Sequence, residues 1–191
     1  MFDDCRWLNE PMSWSLGPNG LAVVTDQATD FWRQTHYGFT RHSGHMFGYE
    51  ARGGFTATLR VRARYENLYD QAGLMVLVDE ENWIKAGIEF SDGETMLGSV
   101  LTLGCSDWAT GVYQGDASDF WIRATLHNGV LRIQASADRQ RWPNIRLCPF
   151  PLTQSYKVGP MCCTSERAGL EVLFSEFSVM PPMRKELHDL S

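Results

Sequence analysis

No long uninterrupted apolar run occurs anywhere in the 191 residues, so no segment reads as a membrane-spanning helix. The start, MFDDCRWLNEP, carries acids where an export signal would carry a basic cluster and an apolar stretch. Basic charge is also short: Lys and Arg number 17 against 23 Asp and Glu, a net charge of −6. A nucleic-acid partner, which needs a basic surface to neutralise phosphates, is not expected. Five Cys without an export signal point to a reducing compartment, and the expectation is a soluble, cytoplasmic protein with free thiols. No C-x-x-C is present, and no His lies near Cys162-Cys163, so no metal and no cofactor are expected. As neighbours on a strand, these two cysteines should face opposite sides. Gly-x-Ser-x-Gly and phosphate-loop motifs are missing as well.

Helical periodicity is scarce too. Only Met183–Leu190, after Pro181-Pro182, reads as a short helical tail. Period-two runs dominate instead. Phe55 to Arg64 alternates apolar residues with Thr and Arg, placing Arg60, Arg62 and Arg64 in a row that reads as a solvated face paired with carboxylates. Gly73 to Asp79 is a near-continuous apolar run, Glu80-Glu81-Asn82 a turn, and Trp83 to Phe90 the returning strand of a hairpin. Further strands are expected at Leu21–Thr25, Ser99–Leu103, Phe120–Leu126, Leu131–Ala137, Ser155–Met161 and Leu170–Val179. Asn128-Gly129 and Asp92-Gly93 supply tight turns, and Asp30 to Gly38 reads as an irregular aromatic turn. Many short strands without a linker or repeat describe one all-β domain over residues 1–191, a two-sheet antiparallel sandwich.

Asp30-Phe31-Trp32, Tyr69 to Met75, Trp83 to Glu89, Asp107-Trp108, Trp121-Ile122-Arg123 and Val158-Gly159-Pro160, in that order, resemble the DUF1349 family. The resemblance runs from about Trp7 to Val179. It implies a concanavalin A-like jelly-roll sandwich and carries a label relating it to regulation of enolase. The family as a whole has no assigned reaction, and a fold alone does not supply one.

Within Trp83 to Phe90, alternation puts Ile84, Ala86, Ile88 and Phe90 toward the core. Trp83, Lys85, Gly87 and Glu89 then form the opposite stripe, with alternate residues about 7 Å apart. Lys85 and Glu89 beside the gap at Gly87 suit the floor of a ligand groove, with Gln71 near and Trp83 at its edge. A plain ion pair on a solvated sheet face is the competing reading. Trp32, Trp108 and Trp121 offer aromatic faces, with Trp108 read in a loop and Trp121 beside Arg123; such a residue is more often a plug between sheet and loop than a ligand platform. Of His36, His42 and His45, only His36 is placed in the site, for its nearness to Asp30-Phe31-Trp32.

The expected site is therefore Gln71, Trp83, Lys85, Glu89, Trp108 and His36, with no catalytic or metal-binding residue. The leading expectation is a non-catalytic module holding a carbohydrate or another small polar metabolite on one sandwich face. A glycoside-processing enzyme using Glu89 as one carboxylate, with Glu171 across the strands, is the alternative; Ile88 to Glu94 lacks the acid spacing of the superfamily's glucanases. A protein-binding regulator is the third.

Overall fold

A computed structural model describes residues 1–191. In chain order the strands are β1 (Arg6–Leu8), β2 (Ser13–Gly17), β3 (Gly20–Val24), β4 (Phe31–Arg33), β5 (Thr40–His42), β6 (His45–Arg52), β7 (Phe55–Ala63) and β8 (Asp70–Leu77). They continue as β9 (Asn82–Ser91), β10 (Glu94–Leu103), β11 (Cys105–Val112), β12 (Asp119–His127), β13 (Val130–Ser136), β14 (Asn144–Pro149), β15 (Ser155–Thr164) and β16 (Glu171–Met180). Two seven-stranded sheets result, ordered β1-β6-β15-β8-β9-β10-β11 and β14-β13-β12-β7-β16-β3-β2. Every pairing is antiparallel. The pair β4-β5 stands apart from both sheets.

The expected sandwich is what the sequence folds into. Apolar alternation on β7 buries Phe55, Ala57, Leu59 and Val61 against Ile84, Ala86 and Ile88 of β9, within one core cluster between the sheets. On the outer side of β7, Arg60 holds Asp119 at 2.7 Å and Glu176 at 3.2 Å, and Arg64 meets Glu66 at 3.6 Å. Both expected tight turns place their two central residues at positive φ: Asp92 at 54° and Gly93 at 82°, Asn128 at 48° and Gly129 at 75°. That geometry matches the right-handed twist of the flanking strands. Cys162 and Cys163 do face opposite sides, one in the inter-sheet core and the other in a second apolar cluster. All five thiols are unbridged.

Three expectations need correction. Met183–Leu190 is irregular rather than helical; its backbone carbonyls instead accept from Arg132 and from the Trp142 amide. The segment around Trp108 is an edge strand, β11, not a loop. Its Ser, Asp, Thr and Gly residues hide the strand because one edge and most side chains face solvent. The stretch from Asp30 to Gly38 is irregular only beyond Arg33; its first residues form β4, which pairs with β5.

The second apolar cluster positions the site. It lies on the outer face of the β9-bearing sheet and contains Phe31, Trp32, Met75, Leu77, Trp83, Val100 and Cys163. Here the β4-β5 hairpin lies over the sheet, with Phe31 packed on Trp83 at 5.9 Å between ring centroids. A row of glycines crosses the same face, Gly73 opposite Gly87 and Gly87 opposite Gly98. Backbones approach closely at the first of these pairs. A Cβ on Gly87 would run into the Ala72 carbonyl and lie 2.6 Å from the Gly73 Cα, whereas one on Gly98 meets nothing nearer than 3.3 Å. Gly87→Ala should therefore destabilise the fold by about 1–3 kcal/mol or more, as overpacking does. Gly98→Ala should cost visibly less, and urea denaturation of the two variants side by side checks the ranking.

Candidate functional site

Roof and floor of a cavity of about 220 Å³ come from distant parts of the chain. The hairpin and its approach supply Asp30, Trp32, Tyr37, Phe39 and Arg41; the sheet supplies Gln71, Lys85, Glu89, Val100 and Trp108; Tyr69, Ser165 and Glu166 complete the wall. A larger cavity of about 470 Å³ lies where β10 and β11 approach β13 and β14. The carboxylate lining it, Asp138, is engaged by the backbone amides of Gln140 and Arg141 at 2.8 and 2.9 Å. The smaller cavity gathers the reactive groups.

Its floor follows from strand register. Gln71 stands opposite Glu89, Met75 opposite Lys85, and Lys85 opposite Val100, which in turn faces Trp108 on β11. Lys85 and Glu89 do share the outer stripe, but both are buried, at 4% and 7% exposure. They do not form the exposed ion pair of the competing reading. The Lys85 ammonium donates to Asp30 Oδ1 and to Gln71 Oε1, each at 2.8 Å. A residue outside the expected set, Asp30, is thus the partner, and the roof is tied to the floor through it. The Cys163 thiol lies 3.8 Å from the same Asp30 oxygen and 3.7 Å from Gln71 Oε1.

Electrostatics set these groups apart. Burial works against the Lys85 charge, yet Asp30 and its other acidic neighbours hold the ammonium above the usual lysine range. Burial pushes the Cys163 thiol far up, so it stays protonated. Glu89 takes no hydrogen bond, and burial raises its carboxyl to about 7 although Lys85 pulls the other way. A carboxyl without a partner, opening into a cavity and titrating near neutrality, is a candidate for work on a ligand.

The walls are aromatic. Trp32 meets Tyr37 edge-on at 5.8 Å, and Tyr37 stacks on Phe39 at 5.3 Å. The hydroxyls of Tyr37 and Tyr69 lie 3.4 Å apart, and this contact raises the Tyr69 phenol to about 12. Trp108, 41% exposed, forms part of the opposite wall.

Of the six expected residues, Gln71, Lys85, Glu89 and Trp108 line the cavity. Trp83 is fully buried under Phe31 rather than standing at the groove's edge, its indole N–H donating to the Glu80 carbonyl at 3.2 Å. His36, at φ 62°, is an exposed turn residue that props Tyr37 edge-on at 4.8 Å and does not line the cavity. Glu171 belongs to the other sheet and cannot meet Glu89. Trp121 and Arg123 also lie on that sheet: Arg60 covers Trp121 at 4.4 Å, and Arg123 lies over Trp142 at 4.2 Å. His45 is buried against Asn9 and Asp26, so the three histidines do not converge. Sequence reasoning missed Tyr37, Phe39, Arg41, Tyr69, Ser165 and Glu166. The signal available was the aromatic density from Phe31 to Phe39, whose direction only the hairpin reveals.

Residues 7–182 match the family described as "Protein of unknown function (DUF1349)". The chain belongs to the DUF1349 family. This DUF1349 domain is 57% identical over 185 residues to "Regulation of enolase protein 1" of Saccharomyces cerevisiae, covering 97% of the chain and 93% of the relative. A crystal structure of a functionally unknown protein from Saccharomyces cerevisiae superposes with a TM-score of 0.94 at 55% identity, covering 95% of this chain and 98% of that one. A GH43 protein from Bacillus licheniformis superposes at 0.69 with 14% identity, over 93% of the DUF1349 domain and 37% of that chain, which establishes a shared fold alone. No helix of this DUF1349 domain is long and apolar enough to cross a membrane.

Two outcomes follow from the buried charges. Lys85→Ala leaves Asp30 beneath the roof without its cation and should cost about 3–5 kcal/mol in urea denaturation. Pairing Lys85→Met with Asp30→Asn should recover part of that loss. For Glu89, the folded pKa near 7 lies above the ordinary 4.5, so the native state holds the extra proton between these values. Stability therefore falls as pH rises through that window. Glu89→Gln should abolish the fall, so the variant gains on the wild type between about pH 4.5 and 7 in parallel thermal melts.

Proposed function

We propose that this domain is a non-catalytic binding module that takes a small polar ligand, sugar-like in shape, between the β4-β5 roof and the β8–β11 floor. One observation carries the reading: aromatic rings and buried polar groups converge on one cavity of about 220 Å³. Flat rings accept the apolar C–H faces of a compact polar molecule, while Gln71, Lys85 and Glu89 supply hydrogen bonds from below. Few polar groups set among aromatic walls are what small-molecule sites generally contain. Burial of those polar groups fixes their orientation before the ligand arrives, which lowers the ordering cost of binding. Five unbridged cysteines support a reducing compartment, and we propose the cytoplasm.

A glycoside-processing enzyme is the second reading, favoured by the Glu89 proton held to about 7, where a general acid works at neutral pH. Against it, Asp30, the nearby carboxylate, is bound to Lys85 at 2.8 Å and is a poor nucleophile while it stays so. Release of nitrophenol from a panel of aryl glycosides, lost in Glu89→Gln, would favour the enzyme. The name of the yeast relative keeps a regulatory role in view, and a regulator that senses a metabolite through this cavity is compatible with the binding reading.

Trp108 offers the cleanest test because it is 41% exposed and its removal leaves the apolar clusters intact. In fluorescence titration against a library of free sugars and polar metabolites, some members should saturate. Trp108→Ala should weaken them about tenfold, the loss of roughly 1.4 kcal/mol expected of an aromatic anchor. Saturable binding that ignores both Trp108→Ala and Trp32→Ala would place the ligand elsewhere.

A further inference from the structure

Charge in the cavity does not balance once Glu89 ionises. Asp30, Glu89 and Glu166 face it, against Lys85 and Arg41. The Lys85 ammonium is held by Asp30 and Gln71, each at 2.8 Å. Arg41 lies over the Phe39 ring at 5.0 Å, with no carboxylate within ion-pairing reach. Glu89 is buried to 7% exposure and takes no hydrogen bond and no ion pair, yet its carboxyl opens on a space walled by aromatic rings.

A buried carboxyl is costly to ionise without a compensating charge. The faces of aromatic rings attract cations, and indole does so most strongly. A cavity that joins Trp32, Tyr37, Tyr69 and Trp108 to an unpartnered carboxyl has the elements of a cage for a positively charged nitrogen. We infer that the ligand of this cavity carries a protonated or quaternary nitrogen, which pairs with Glu89 and is enclosed by these rings. This rests on the binding reading given above and narrows it to cationic ligands such as amino sugars and quaternary ammonium compounds.

Proton linkage follows. The groups facing Glu89 are Lys85 on its own strand, Asp92 in the turn beyond, Tyr69 and Gln71 at the start of β8, and the protonated Cys163 thiol on β15. Asp30 and Arg41 face it from the roof, and Glu166 from the segment after β15; its β10 partner is the uncharged Met96. With the carboxyl at about 7, a cationic ligand must displace a proton below neutrality. Affinity for a permanently charged cation should therefore rise about tenfold from pH 6 to pH 8. A neutral ligand needs no such rise.

Calorimetry on the full chain tests this with matched probes: choline against its uncharged carbon isostere 3,3-dimethylbutan-1-ol, and glucosamine against glucose. Choline should bind at least tenfold more tightly than its neutral isostere at about pH 8, and glucosamine should outbind glucose to a similar degree at about pH 7, where its amine is still largely protonated. Glu89→Gln should remove that preference, and choline affinity should climb with pH in the wild type. Because choline keeps its charge throughout, the wild-type pH series decides the matter even if Glu89→Gln fails to fold. Equal binding of charged and neutral partners, or choline affinity flat in pH, overturns the inference. Glucose bound while both cations are refused overturns it too, yet leaves the binding module standing. If no probe or library member binds, both readings fall.

Discussion

A buried ion pair joins the roof and the floor of the cavity. Lys85, in the middle of a central strand, reaches Asp30 at the foot of a separate hairpin 55 residues earlier. Two charges taken from water gain little net stability, since desolvation offsets most of their attraction. Beside the pair Phe31 packs on Trp83, and Trp32, Tyr37 and Phe39 line the cavity over the sheet. Gln71 shares the same ammonium, and Arg33 of β4 adds a second tether to the sheet through Ser106, Gly104 and Glu81 at 2.7–3.0 Å.

Next to that pair the sheet uses glycine where its backbones crowd. Gly73, Gly87 and Gly98 stand in a transverse row between the level of Lys85 and that of Gln71 and Glu89. At the Gly73–Gly87 contact the backbones lie too close for any side chain.

Much of the fold was legible because strands of this sandwich are amphipathic with period two, and because Asn128-Gly129 and Asp92-Gly93 demand turns with positive φ. β11 and β4 escaped notice for physical reasons: one is an edge strand with most side chains in water, the other only three residues long. Alternation placed Trp83, Lys85 and Glu89 on one stripe correctly, but the burial of all three could not be read from it. A stripe opposite the core reads as solvent-facing. Here a hairpin from elsewhere covers it, turning Trp83 from rim to foundation and Lys85 from surface charge to buried tether. His36 failed for the opposite reason, since nearness in sequence to Asp30 says nothing about the side of a turn on which a residue stands.

The β4-β5 pair hydrogen-bonds to neither large sheet as a strand. The sandwich's ladders close without it, and the two-sheet core contains neither Phe31 nor Trp32. Residues between Arg33 and Thr40 can therefore change in length and chemistry without disturbing a single ladder of the scaffold. Such separation makes the roof an evolvable module. Descendants of one sandwich can acquire different ligands by redrawing this one hairpin while Phe31, Asp30 and Lys85 keep it moored.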